Sequence, residues 1–233
     1  MTSKHNEQAA LIERIQLQQE ELKRRLDEEQ INLRELARRL WTQQESEKAR
    51  LSRELHDGVG QLLTGLTRRL QGIASNQPEF TELYDIAEMA LADVRQLSRM
   101  MSPTILDDLG LKPALKWLCR NLFEAEGIQY ACDINLKGDI PKVQAILVFR
   151  IAQEALVNAL KHSRADTITV NLAQHHQVLR LDVIDNGVGF DVENIERGIG
   201  MSSMLDRASA FDAELTFQAR PHQGTHITLT VAL

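Results

Sequence analysis

Arg53-Glu54-Leu55-His56-Asp57-Gly58-Val59-Gly60-Gln61 sets an imidazole beside a carboxylate inside a charged, helix-patterned stretch. Leu51, Leu55, Val59, Leu62, Leu66 and Ile73 fall on one narrow arc of a helical wheel, which predicts a helix with a single apolar stripe. His56 lies just off the edge of that stripe, and Asp57 and Gln61, four residues apart, share the outward face. Gly58 and Gly60 each cost roughly 1 kcal/mol in a helix interior relative to Ala. Close approach of another domain beside His56 is a physical reason to tolerate them. A neutral imidazole has a free lone pair near pH 7 and suits a phosphoryl acceptor. Asp57 can fix its tautomer or take up its proton. Taken alone, such a pair reads as ordinary helix surface.

Working outward, Ser75-Asn76-Gln77-Pro78 breaks this helix, and Pro78 suits the start of the next. Leu83, Ile86, Ala87, Ala90, Leu91, Val94 and Leu97 stripe that second helix, which ends before Pro103. Two such helices cannot bury their stripes alone, but two copies of the chain make a four-helix bundle. Upstream, residues 5–50 hold no Pro or Gly. Ile12, Ile15, Leu22, Leu26, Leu33, Leu36 and Leu40 recur on three- and four-residue steps, interrupted by Gln19, Glu29 and Gln43. This predicts a parallel coiled coil that pairs chains and carries a rotation or register shift.

Beyond Ser102-Pro103-Thr104 the pattern changes. Helical periodicity at 111–126, 142–163 and 200–212 alternates with strand-like runs at 128–136, 166–173, 178–185, 214–220 and 225–232. The last two read as a hairpin-like pair. The fold class expected is a coiled coil (1–44), a bundle-forming dimerization unit of two helices per chain (45–103), and an α+β two-layer sandwich (104–233).

The third region carries a second set of chemical residues. In Glu154-Ala-Leu-Val-Asn158-Ala-Leu-Lys161-His162, Glu154 and Asn158 stack one turn apart, opposite an apolar side of Val148, Ile151, Ala155 and Ala159. A carboxylate and a carboxamide oxygen at that spacing suit hydrated Mg²⁺ that bridges to phosphates, and Lys161 adds positive charge. Leu179, Leu181 and Val183 share one strand face, and Asp185 ends it in the same register. A carboxylate there needs a donor, and an adenine exocyclic amine would serve. Gly187 and Gly189 allow backbone approach, while Gly198-Ile199-Gly200 opens a helix whose free N–H groups face phosphate oxygens. Residues 191–197 between them read as a short lid.

Composition narrows the classes. Hydrophobic content of 43% and charged content of 26% belong to an ordinary soluble chain of one or two domains. A net charge of −6 leaves no basic surplus to neutralise phosphates, which argues against direct nucleic-acid binding. Cys119 and Cys132 lack metal-site spacing and read as reduced thiols of a cytoplasmic chain. No run approaches the roughly 18 apolar residues of a membrane span.

Together, His56-Asp57-Gly-Val-Gly-Gln61, the Glu154–Asn158 segment and the ordered glycines resemble a sensor histidine kinase of the nitrate-sensor type. The acceptor motif of that family reads His-Asp-x-x-x-Gln. The resemblance spans about residues 45–233 and includes the linker from Ser102 to Leu111. It implies a phosphotransfer bundle followed by a gyrase-like ATP-binding domain. By that resemblance His56 accepts phosphoryl, Asp57 assists, and Gln61 positions water to dephosphorylate a partner regulator. Asn158 is the implied Mg²⁺ ligand and Glu154 a water-orienting base. Lys161 and His162 lie beside the phosphates, Asp185, Gly187 and Gly189 bind adenine, and Gly198, Gly200, Gly224 and Thr225 complete the glycine boxes. A homodimer, ATP, Mg²⁺, and a response regulator with a helix-turn-helix output are the implied partners and cofactors. A membrane or soluble sensor would lie outside this sequence. The alternatives are a phosphatase-dominant regulator or a non-catalytic coiled-coil adaptor. Beyond Leu40 the heptad slips, so single-residue insertions before Leu51 are expected to change activity periodically, with recovery near seven.

Overall fold

The computed structural model describes residues 2–101, 106, 109–191 and 198–233, with side chains from residue 14 onward. The expected boundary at Ser102-Pro103-Thr104, residues 192–197 of the expected lid, and the side chain of Ile12 lie outside the described residues.

The N-terminal half is helical. Helix α1 (Thr2–Glu54) runs without a break through residue 44, where the coiled-coil segment was expected to end. It continues into a π turn (Leu55–Gly60) and then α2 (Gln61–Ala74). Pro78 opens a 3₁₀ turn (Pro78–Phe80), and α3 (Thr81–Met101) follows. Inside the antiparallel pair, the Ser52 and Ser98 hydroxyls lie 2.8 Å apart, and each also donates to the other residue's carbonyl. Small side chains let α1 and α3 approach closely here, and mutual hydrogen bonding cancels the cost of burying two hydroxyls. The apolar seam and stripes stay exposed: Leu22, Leu26, Leu33, Leu36 and Leu40 on α1, Leu62 and Leu66 on α2, and Leu83, Ile86, Met89 and Leu97 on α3.

The C-terminal half is the expected two-layer sandwich. Helix α4 (Leu111–Phe123), β1 (Gln129–Asn135), α5 (Lys142–Asn158), β2 (Thr167–His175), β3 (Val178–Asp185), α6 (Ile199–Ala210), β4 (Glu214–Ala219) and β5 (Thr225–Ala232) follow in order. The sheet order is β1-β2-β3-β5-β4, parallel only between β1 and β2. Alternation along β2, β3 and β5 turns Ile168, Val170, Leu172, Leu179, Leu181, Val183, Ile227, Leu229 and Val231 toward the helices. Leu115, Leu118, Phe123, Leu147, Phe149, Ile151, Leu156 and Met204 fill the space between the layers. Cys119 and Cys132 are free thiols.

Two expectations need correction. Lys142–Ser163 is long and apolar enough by composition to cross a membrane, against the expectation that no run comes near; most of its apolar residues are instead packed into this core. The predicted helix 142–163 is also not uniform, because its last turn is a π turn (Ala159–Ser163) closed by Arg164 in the left-handed region. Periodicity at 3.6 residues cannot register a single wider turn.

Candidate nucleotide pocket and phosphoacceptor

A cavity of about 540 Å³ opens between α5, the end of β3, the start of α6 and the β4–β5 pair. Its size is that of a small-molecule site. Of the residues singled out from sequence, Asn158, His162, Asp185, Gly189, Gly198, Gly200 and Thr225 line it directly. Lys161 points to solvent and does not line the cavity. The π turn accounts for that difference, since it changes the angular phase of the residues after Asn158.

Asp185 is buried at 7% exposure, and its Oδ1 accepts the Gly187 N–H at 2.9 Å. The adjacent Asn186 side chain is the turn's anchor, its Oδ1 accepting the Asp166 and Thr167 N–H groups at 3.0 Å each. Gly187 and Gly224 line nothing themselves but allow the walls to close. A Cβ on Gly187 would meet the Ser163 carbonyl, and one on Gly224 (φ +73°) would meet the Asp185 carbonyl. The Val188 N–H donates to the Ser163 carbonyl at 2.7 Å, tying the end of the π turn to the loop after β3. Phe190, Met204, Phe217 and Ile227 supply an apolar lining that the sequence reading missed. They come from separate elements with no shared local pattern, so only folding assembles them.

Glu154 and Asn158 stack as predicted, with Asn158 Nδ2 donating to Glu154 Oε1 at 3.5 Å. Among the described residues the Asn158 carboxamide oxygen has no donor, and Asn158 lines the cavity. Gly200 sits against the Glu154 carboxylate, so the start of α6 lies directly over this pair. Among the described residues no cluster of three His, Cys, Asp or Glu side chains makes a metal cage. A single carboxamide oxygen with a carboxylate behind it fits Mg²⁺, which keeps its waters and takes further ligands from phosphates.

Replacing Asp185 by Asn keeps the shape but removes the charge and one acceptor. ATP should then bind about 10- to 100-fold more weakly by calorimetry, in line with roughly 1.5–3 kcal/mol for a hydrogen bond to a charged group. Unchanged affinity would remove Asp185 from the adenine contact.

His56, Asp57 and Gln61 lie far along the chain from this cavity and none lines it. His56 and Asp57 are exposed on the π turn, and Gln61 is exposed at its end. Gly58 and Gly60 both lie within this wide turn. A Cβ at Gly58 would meet no described atom within 4 Å, which leaves this point open to the approach expected from the glycines. Single π turns occur often at functional sites because they re-aim side chains within an otherwise regular helix.

Comparison with known proteins agrees with both halves. Residues 47–106 match the family described as histidine kinase, and residues 143–233 match the histidine kinase-, DNA gyrase B-, and HSP90-like ATPase family. The signal transduction histidine-protein kinase/phosphatase DegS of Brevibacillus brevis is 31% identical over 201 residues, covering 82% of this chain and 52% of the relative. The oxygen sensor histidine kinase NreB of Staphylococcus carnosus is 30% identical over 217 residues, covering 88% of this chain and 62% of the relative. The sensor histidine kinase MctS of Rhizobium johnstonii is 34% identical over 211 residues, covering 84% and 45%. The chain thus spans roughly half the length of these relatives. The histidine kinase domain of a blue-light activated kinase from Erythrobacter litoralis shares the fold, with a TM-score of 0.51 at 18% identity over 74% of this chain and 94% of that one. A helix pair that matches the histidine kinase family and a gyrase-like ATP-binding domain, joined in this order on one chain, make this protein a member of the sensor histidine kinase family of two-component systems, of the nitrate-sensor type.

Proposed function

We propose that this chain works as a homodimeric ATP:protein-histidine kinase that phosphorylates His56 and then passes the group to an aspartate of a response regulator. The observation that carries the reading is the presence on one chain of an exposed His56-Asp57 pair at a helix distortion and a small-molecule-sized cavity lined by buried Asp185. In the reaction a ring nitrogen of His56 attacks the γ-phosphorus, the bond to the bridging oxygen breaks, and ADP leaves. Asp57 takes up the ring proton, so the product is neutral at the imidazole. Asn158 would hold Mg²⁺, which supplies charge neutralisation at the phosphates. Glu154 stands behind Asn158, and His162 borders the cavity where phosphates would lie.

A dimer is supported by the exposed apolar stripes. Leu62 is 77% exposed, Leu33 66% and Leu97 57%, and such continuous faces call for a covering surface. A second copy aligned in parallel covers both the α1 seam and the α2–α3 stripes. The regulator expected from the resemblance carries a helix-turn-helix output. ATP use together with free thiols supports a cytoplasmic setting.

The test is to incubate the protein with γ-labelled ATP and Mg²⁺ and to map the label. An acid-labile, alkali-stable phosphoryl group on the peptide containing His56 is expected, and a label on any other residue would overturn the reading.

A second activity is favoured by Gln61, exposed one turn beyond Asp57, and by DegS, which is named a kinase/phosphatase. Gln61 would hold the water that hydrolyses the regulator's phosphoaspartate. Gln61→Ala should slow decay of a pre-phosphorylated regulator at least about 10-fold, within the range for a group that positions a reactant. Equal decay rates would leave Gln61 without that role.

A further inference from the structure

Helix α4 and strand β1 are the two arms of one helix–strand turn, and their packing brings the two cysteines together. Phe123 meets Tyr130 across that turn, with ring centroids 6.2 Å apart. Cys119 lies four residues before Phe123 on the same face of α4, about 6 Å along the helix. Cys132 lies two residues after Tyr130 on the same face of β1, about 6.6 Å along the strand. Ile134, next on that face, is buried in the core. The chain reverses between the two elements, so these matching steps run in one direction and set Cys119 opposite Cys132. The two thiols are hydrogen-bonded, Cys119 donating and Cys132 accepting.

The two sulfurs are not equivalent. Cys119 is fully buried between helix and sheet. Cys132 is half-buried and lines a groove of about 660 Å³ with Lys112, Lys116, Trp117, Arg120 and Tyr130. Lys112, Lys116 and Arg120 recur at four-residue steps along α4, so one wall of the groove is cationic. The hydrogen bond from Cys119, and then the Lys116 charge, hold the Cys132 thiol below its usual range, against burial and the Asp133 carboxylate. The same hydrogen bond, and then burial, push the Cys119 thiol up. One sulfur is reachable and inclined to ionise; the other is sealed and protonated. A buried free cysteine usually packs as a small apolar side chain. A half-exposed sulfur beside cations, with a second thiol bonded to it, is instead the arrangement of a reactive thiol and its resolving partner.

We propose that Cys132 and Cys119 form a peroxide-sensitive modification site in the ATP-binding domain, oxidised at Cys132 and closed by Cys119 into an intramolecular disulfide. The Cys132 thiolate attacks one oxygen of a hydroperoxide. An S–O bond forms, the O–O bond breaks, and the departing oxygen takes up the proton that the thiol gave up, leaving as alcohol or water. The sulfur is thereby oxidised by two electrons to a sulfenic acid. Cys119 then attacks the Cys132 sulfur. The S–S bond forms, the S–O bond breaks, and hydroxide leaves with the Cys119 proton as water. The hydrogen bond between the thiols suits this second step, since it keeps the sulfurs in contact and aims the Cys119 proton at the leaving group.

Neither cysteine lines the nucleotide cavity, so the site is separate from the chemistry proposed above. It lies beside the junction of the two halves of the chain, where Arg99 of α3 stands 6.0 Å over the Trp117 ring. In a reducing compartment a disulfide of this kind is transient, and a dithiol reductant returns it to thiols by exchange.

The test uses the full chain, reduced, freed of reductant and treated with hydrogen peroxide. Remaining thiols are blocked with iodoacetamide, and the chain is digested with trypsin without reduction. Cleavage after Lys116, Arg120 and Lys137 puts the cysteines on separate peptides, 117–120 and 121–137. The expected product is these two peptides joined with the loss of two hydrogen atoms, from a chain that runs as a monomer on a non-reducing gel. Dithiothreitol should restore both thiols. Cys119→Ala should leave a sulfenic acid on Cys132, trapped by dimedone, and Cys132→Ala should leave Cys119 unoxidised at the same dose. If either variant does not fold, the unaltered chain still decides. Under native conditions iodoacetamide should label Cys132 at least about 10-fold faster than Cys119. Equal alkylation rates, a sulfenic acid trapped on Cys119, or a bridge between two chains would overturn the assignment. Two free thiols after peroxide treatment would overturn it as well.

Discussion

A His56→Ala chain should take no label from γ-labelled ATP while binding the nucleotide as tightly as the unaltered protein. The two halves of that result come from the separation of the sites. His56 is exposed on the π turn and absent from the cavity wall, so removing its ring deletes the proposed nucleophile and leaves the pocket intact. Stability should change by no more than about 0.5 kcal/mol, as for other exposed positions without special contacts. Labelling by phosphorimaging and binding by calorimetry check both halves. Residual label would mean that another side chain accepts the group. Lost binding would mean that the acceptor and the pocket are one site.

Gly187→Ala should abolish ATP binding and also destabilise the domain. Its Cβ would lie 2.7 Å from both the carbonyl carbon and the Cβ of Ser163, backbone-linked atoms with little freedom to move. Ser163 is held on three sides: its Oγ donates to the Ala159 carbonyl and accepts the Ala165 N–H, and its carbonyl accepts from Val188. The turn must therefore yield instead, and it carries Asp185 with it through the Gly187 N–H. Overpacking of this kind costs about 1–3 kcal/mol, and the melting temperature should fall by several degrees. Affinity should drop more than about 100-fold, since the carboxylate proposed to bind adenine is displaced as well as the wall. Gly198→Ala is the control. A Cβ there meets no described atom within 4 Å at an ordinary φ of −65°, so binding should change by only a few-fold. Equal behaviour of the two variants would show that the glycines matter only for phosphate approach and not for the turn.

Much of this was legible in sequence because it depends on local pattern. The three- and four-residue steps of Leu22 to Leu40, the alternation of Leu179, Leu181 and Val183, and the Asn-Gly turn after Asp185 each follow from backbone period alone. Glu154 and Asn158 could be paired because i and i+4 on a helix are neighbours in any fold. The exposed seam could likewise be assigned to a second copy before any coordinates, and it remains uncovered within one chain.

The sequence by itself determined the elements, their order, and the residue types at each half of the chemistry. Tertiary structure decided three matters that no period reveals. The π turns at Leu55–Gly60 and Ala159–Ser163 replace regular helix, and the second moves Lys161 out of the pocket while His162 stays at its wall. The apolar lining gathers Phe190, Met204, Phe217 and Ile227 from separate elements. Glu45 and Arg150, 105 residues apart, become one buried pair, and Trp41 finds Phe211. In a list of residues the α1 stripe of Arg34, Arg38, Trp41, Glu45 and Lys48 looks like solvated helix surface, because four of its five members are charged. Burial turned it into an interface, and a charged residue is buried only where folding brings it a partner of opposite sign.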